Sequence, residues 1–146
     1  MKQILKYVFT YIMLILAFIS ILVLTGLIPK RVIEENVRKS LEQLELEGFV
    51  REMGIIKIMA LDNFTDALMM DVSYTIDENN PLSSVMEDNY SCDVKRGVNA
   101  GPIVNLRETL ENNSTTNYKY YRYWHGYLAY LRPLLCFFNY YGIRII

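Results

Sequence analysis

The chain has 146 residues, with 15 basic and 16 acidic side chains and a formal net charge of −1. A chain of this length normally forms one domain, and a near-neutral charge provides no long-range field to attract a nucleic acid. We therefore expect no nucleic-acid partner and at most one small domain.

The first predicted element is an apolar helix close to the N-terminus. The residues from Tyr7 to Ile28 carry no charge, and as a helix they extend about 33 Å, enough to cross a hydrocarbon core of about 30 Å. Lys2 and Lys6 would also suit a signal peptide, but its apolar region is normally shorter and ends in a small-residue cleavage site. Residues 1–29 are therefore predicted to be a short cytoplasmic tail and an uncleaved transmembrane helix, or signal anchor.

Basic residues on the two sides of this helix are nearly balanced in number. A short basic tail is more readily retained in the cytoplasm, whereas a long loop crosses the membrane largely regardless of its charge. We expect an integral protein of a bacterial plasma membrane, with residues 30–117 forming a small extracytoplasmic domain that is α-helical or α+β.

An amphipathic helix is predicted directly after Pro29, in the stretch KRVIEENVRKSLEQLELEG. Its apolar positions, Ile33, Val37, Leu41 and Leu44, are spaced as one helical stripe, and Gly48 is a suitable end. We expect this helix to pack against its own domain. A coiled-coil homodimer is the alternative, but the stripe is short for one.

The rest of the domain combines short elements with turns. FVREMGIIKIMA is predicted to be a short strand or buried turn, and LDNFTDALMMDVSYTI a helix with Phe64, Leu68 and Val72 on one face. Residues 77–102 are rich in turn residues and are predicted to be irregular, and a helix should begin at Pro102.

Residues 118–146 form an aromatic segment, predicted to return to the bilayer. As a helix it would align Tyr120, Trp124, Leu128, Leu131 and Leu135, and Tyr and Trp favour the boundary between headgroups and hydrocarbon. Arg132 and Pro133 interrupt the apolar run. An interfacial or re-entrant helix is therefore favoured over a second full span.

Two groups of residues could carry chemistry. Asp62 and Asp66 are four apart, so on a helix they would share a face, as an acid–base pair or a cation site requires. The alternative is that Asp62 or Asn63 caps the helix and Asp66 is solvated. The second group could bind a lipid phosphate or anchor the chain at the interface; it comprises Arg122, Tyr123, Trp124, His125 and Arg132.

No cofactor or metal is predicted, because the chain has one histidine and only two cysteines, Cys92 and Cys136. Free thiols are the expected state of both cysteines.

The apolar N-terminal helix, LDNFTDALMM and YRYWHGYLAYLRPLL together resemble an uncharacterised group of bacterial integral-membrane proteins found with cell-surface polysaccharide loci. The resemblance implies an extracytoplasmic domain after the first helix and no established activity. In that group the aromatic segment leads into further membrane helices, whereas this chain ends at GIRII. The resemblance therefore implies a truncated member or part of a split protein.

The main functional hypothesis is a non-enzymatic component of the cell envelope. Its partners would be the lipid bilayer and either other membrane proteins or lipid-linked glycans. The alternative is the N-terminal portion of a multi-span glycosyltransferase that uses lipid-linked sugars, with Asp62 and Asp66 as its catalytic carboxylates.

Overall fold

The computed structural model describes residues 2–48, 50–52, 60–87, 89–90, 101–112, 118–120 and 125–146. These residues form the helices α1 (Lys2–Gly26), α2 (Lys30–Glu47), α3 (Asn63–Thr75), α4 (Pro81–Glu87), α5 (Gly101–Asn112), α6 (Leu128–Leu135) and α7 (Tyr140–Ile145). The short strands are β1 (Val50–Glu52), β2 (Ala60–Asp62), β3 (Asn89–Tyr90) and β4 (Tyr118–Lys119). β1 pairs antiparallel with β2, and β3 with β4. The predicted, mainly helical fold is confirmed.

Within the described ranges, α1 alone is long and apolar enough to cross a membrane. Its side chains are exposed from Lys2 to Ala17 and become partly covered from Phe18 onwards. The helix ends at Gly26, and Pro29, with φ −62° and ψ 135°, precedes the first residue of α2. Proline suits this position because the first turn of a helix leaves its N–H groups without helical partners.

The predicted stripe on α2 is buried as expected: Ile33, Val37, Leu41 and Leu44 all belong to the core. α2 ends at Gly48, whose φ of 74° is favourable only for glycine and whose N–H donates to the carbonyl of Leu44. The helix packs against α3, α5, α6 and α7. The prediction that α2 packs on its own domain is therefore confirmed.

Two hydrophobic clusters form the core. The larger cluster joins α2, α3, α5 and α6 through Ile33, Val37, Leu41, Leu44, Ala67, Met70, Tyr74, Ile103, Leu106, Leu110, Leu131 and Leu135. The smaller cluster joins α1, α3, α4 and α6 through Leu22, Val72, Ile76, Val85 and Leu128. We call this second group the docking cluster, because through it the last turns of α1 join the domain.

Gly26 sets how closely α1 approaches α4. A Cβ atom at this position would lie 3.0 Å from Cβ of Pro81 and 3.1 Å from Cγ1 of Val85, which is closer than packed side chains normally come. Glycine therefore permits a helix contact that a larger residue would obstruct.

The prediction that residues 77–102 are irregular is wrong where α4 forms. Pro81 starts this helix, because proline fits the first helical turn. The side chain of Asp77 supports this turn by accepting from the N–H of Asn79 at 2.9 Å and from Nδ2 of Asn80 at 3.0 Å. The helix predicted from Pro102 is confirmed as α5.

The predicted apolar face of α3 is only partly correct. Val72 is buried, but Phe64 is exposed. The residues of α3 that enter the larger core cluster are Ala67, Met70 and Tyr74, which are three and four positions apart.

The aromatic segment does not form the continuous helix predicted from Tyr118. Tyr118 and Lys119 pair with β3, a turn follows at Gly126 and Tyr127, and α6 begins only at Leu128. Leu128, Leu131 and Leu135 do share one buried face, but that face is covered by the domain. Trp124 lies outside the described residues.

Candidate functional site

Asp66, on the first turn of α3, has both carboxylate oxygens engaged. Oδ1 accepts a hydrogen bond from the hydroxyl of Tyr140 at 2.6 Å, and Oδ2 lies 2.6 Å from Nη2 of Arg144. Tyr140 and Arg144 both belong to α7. One interpretation of the sequence was that Asp66 is solvated. The structure instead shows its carboxylate bound to α7.

Arg144 also binds the end of α2. Its Nη1 lies 2.9 Å from Oε2 of Glu47, and its Nη2 donates to Oδ1 of Asn63 at 2.5 Å. Asn63 in turn donates to the carbonyl of Gly48 at 2.7 Å. We call Glu47, Asn63, Asp66, Tyr140 and Arg144 the C-terminal network.

Burial makes the C-terminal network electrostatically stronger than a surface ion pair. The side chains of Arg144, Glu47 and Asp66 are only 13%, 8% and 18% exposed. Burial lowers the pKa of Arg144, but hydrogen bonds to Asp66 and Glu47 outweigh this effect and leave its pKa raised. Burial, followed by the hydrogen bond to Asp66, raises the pKa of Tyr140. Arg144 is thus held charged and Tyr140 neutral, in the states that these contacts require.

Asp62 has a different role from Asp66. It is the N-cap of α3, where Oδ1 accepts from the N–H of Thr65 at 3.2 Å and Oδ2 from its hydroxyl at 2.5 Å. Capping of this kind typically stabilises a helix by about 1 kcal/mol. The capping interpretation of Asp62 is confirmed, and each aspartate is engaged in a separate structural contact.

Arg132 lies in the interior of the domain, away from the interfacial position predicted for it. The residue is 0% exposed and donates from Nη1 to the carbonyl of Ser73 at 2.6 Å and from Nη2 to the carbonyl of Ile28. These carbonyls lie in the last turn of α3 and just beyond α1, where a cation also complements the helix dipole. Burial lowers the pKa of Arg132 to about 10, so that it is still charged at neutral pH.

His125 is also buried, with its two ring nitrogens in contact with tyrosine groups. Nε2 lies 3.1 Å from the carbonyl of Tyr120 and Nδ1 lies 3.2 Å from the hydroxyl of Tyr127. Because a carbonyl can only accept, Nε2 carries the proton and Nδ1 accepts from Tyr127. Burial lowers the pKa of His125, against the opposing effect of the Tyr120 carbonyl, which favours the neutral ring. The other members of the predicted group, Arg122, Tyr123 and Trp124, lie outside the described residues.

Glu47, Tyr140 and Arg144 were not predicted as site residues. A single arginine within the apolar end YYGIRII is a signal for a partly buried ion pair, because an unpaired cation among apolar residues is unfavourable. The signal identifies Arg144 but not its partners, which lie far away in the sequence.

The described residues contain no group of three or more His, Cys, Asp or Glu side chains that could hold a metal ion. Comparison of the chain with protein-family models, with curated proteins and with solved structures finds no match.

Proposed function

We propose that the chain is a membrane-anchored component of the bacterial cell envelope, in which a small helical domain outside the membrane contacts other membrane proteins or lipid-linked glycans. The observation that carries the proposal is the division of α1 into two parts. From Lys2 to Ala17 the helix is exposed on all sides, whereas Leu22, Thr25 and Gly26 are buried against the domain. An apolar surface exposed around a whole helix suits lipid rather than water.

The docking cluster supports an anchor that is retained rather than cleaved. Removing α1 would remove Leu22 and would uncover Val72, Ile76, Val85 and Leu128. Full burial of one leucine stabilises a fold by about 1.5–3 kcal/mol. A domain that uses its N-terminal helix as part of its core would therefore be destabilised by signal-peptide cleavage.

The C-terminal network favours a structural role over the transferase alternative. Both oxygens of Asp66 contact residues of α7, and Asp62 caps α3 by accepting two hydrogen bonds from Thr65. Each carboxylate therefore has a structural partner within the domain. Their contacts hold α3 and α7 in place.

The anchor is tested by expressing the full chain in a bacterium, washing the membranes with alkaline carbonate and measuring the intact mass of the protein. We expect the uncleaved chain in the washed membranes. A processed N-terminus or release by carbonate would contradict the proposal.

Asp66→Asn and Tyr140→Phe separate the two functional classes, because both alter the contact between Asp66 and Tyr140 but only the first removes the carboxylate and its ion pair with Arg144. In the native host we expect both variants to leave the surface-glycan profile unchanged at equal protein level. Loss of glycan with Asp66→Asn alone would favour the transferase.

A further inference from the structure

The part of α1 that is free of the domain is short for a membrane span. Its exposed residues run from Lys2 to Ala17, and from Phe18 the helix begins to be covered by protein. At about 1.5 Å per residue the free part extends at most about 24 Å, even when Lys2 and Lys6 are included, and this is at least about 6 Å less than a typical hydrocarbon core. If α1 spans the bilayer, some of the domain beside its last turns must approach the hydrocarbon.

α4 is the element best placed to make this approach, because it runs antiparallel to α1. Its start, Pro81, lies against Gly26, while Met86 near its end lines an apolar groove with Phe18 and Tyr11. α4 therefore extends along α1 from the domain towards the free part of the helix.

The outer face of α4 is apolar. Leu82 and Met86 are four positions apart, so they lie on the same side of the helix, and they are 55% and 54% exposed. Met86 lines the groove beside α1, so the apolar surface of α1 continues onto this face of the domain.

Charged and aromatic groups follow Met86 at the end of α4. Glu87 forms a 2.8 Å ion pair with Lys119, and the neighbouring Tyr118 is exposed. Because α4 runs towards the free part of α1, this ion pair lies on the membrane side of Met86. A tyrosine and a lysine at this place are typical of the level of the lipid headgroups, so they limit how deeply the end of α4 can enter the bilayer.

We infer that the Leu82–Met86 face of α4 is a lipid-contacting surface, which seats the domain directly on the bilayer at the boundary between headgroups and hydrocarbon. The inference rests on the proposed anchoring by α1. In this arrangement the domain has a fixed position against the membrane, and no spacer separates the domain from the bilayer.

Depth-dependent quenching in reconstituted vesicles tests the inference with the full chain. With Cys92 and Cys136 replaced by serine, single cysteines are introduced by Met86→Cys, Leu46→Cys and Val8→Cys and labelled with nitrobenzoxadiazole. The vesicles contain phosphatidylcholine and phosphatidylglycerol, with lipids that carry a nitroxide either near the headgroup or deep in the acyl chain. Leu46 is the matched control, because it is apolar, 90% exposed and about 24 Å along α2 from Lys30.

We expect the label at position 86 to be quenched by the shallow nitroxide several times more strongly than the label at position 46. The label at position 8 should be quenched by the deep nitroxide. Shortening the acyl chains should reduce quenching at position 86, because a thinner bilayer no longer reaches α4. Leu82→Cys provides a second reporter if Met86→Cys does not fold.

Quenching at position 8 without quenching at position 86 would overturn the inference and leave the anchor intact, as would happen if the bilayer thinned around α1. Equal quenching at positions 46 and 86 would overturn the choice of α4 as the contacting face. Absence of quenching at position 8 would overturn the anchor itself and the inference with it.

Discussion

Replacing Arg144 by methionine should strongly destabilise the domain. The substitution removes charge-assisted contacts to Glu47 at 2.9 Å and Asp66 at 2.6 Å, and a hydrogen bond to Asn63 at 2.5 Å. It also leaves two carboxylates in a largely buried position without their cation. Breaking a fully buried ion pair lowers the free energy of unfolding by about 3–5 kcal/mol. Because the side chains of this network are 8–18% exposed, we expect a smaller decrease of about 2–3 kcal/mol.

The assay is reversible unfolding of the full chain in detergent, followed by far-ultraviolet circular dichroism. Lys39→Met is the matched control, because Lys39 and Glu35 form an equally short contact of 2.6 Å on the surface, with side chains that are 54% and 80% exposed. The control should show no measurable change, since exposed pairs contribute little. If Arg144→Met were no more destabilising than Lys39→Met, the assignment of the C-terminal network as a structural clamp would be refuted.

Three further predictions concern Gly26, Arg132 and His125, and each is measured by the same unfolding assay. Gly26→Leu should destabilise by about 1–3 kcal/mol through overpacking against Pro81 and Val85; an unchanged stability would show that α1 and α4 do not pack as described. Arg132→Lys should lower the free energy of unfolding by about 1–3 kcal/mol, because an ammonium group cannot reproduce the planar guanidinium that donates to two carbonyls. An unchanged stability would show that a positive charge at this position is sufficient. His125 is buried with a pKa below the ordinary 6.5, so the unfolded chain protonates first and stability should fall as the pH decreases through 6.5. His125→Gln should remove this contribution of His125 to the pH dependence of stability. If the variant and the original chain showed the same pH profile, the prediction would be contradicted.

Local patterns were sufficient to predict the elements whose stabilising contacts are close in sequence. The stripe on α2 and its termination at Gly48 follow from helical periodicity and from the conformational freedom of glycine. The cap at Asp62 follows from its place before an apolar helix. In each of these cases the necessary partners lie within a few residues.

The remaining features depend on contacts between distant parts of the chain. The apolar face of α6 was assigned to the membrane because a leucine stripe has the same appearance whether lipid or protein covers it. Similarly, Arg132 within an apolar helix is compatible with a position at the headgroups or with the two carbonyls that it actually binds. Only tertiary packing separates these alternatives.

We propose that α1 crosses the membrane and places the domain outside. The most direct measurement is labelling of intact cells with a membrane-impermeant thiol reagent, using Gln3→Cys and Glu111→Cys variants of a chain that lacks Cys92 and Cys136. Both positions are exposed, one near the start of α1 and the other on α5. We expect position 111 to be labelled in intact cells and position 3 only after permeabilisation. Labelling of both positions in intact cells, or of position 3 alone, would contradict the account.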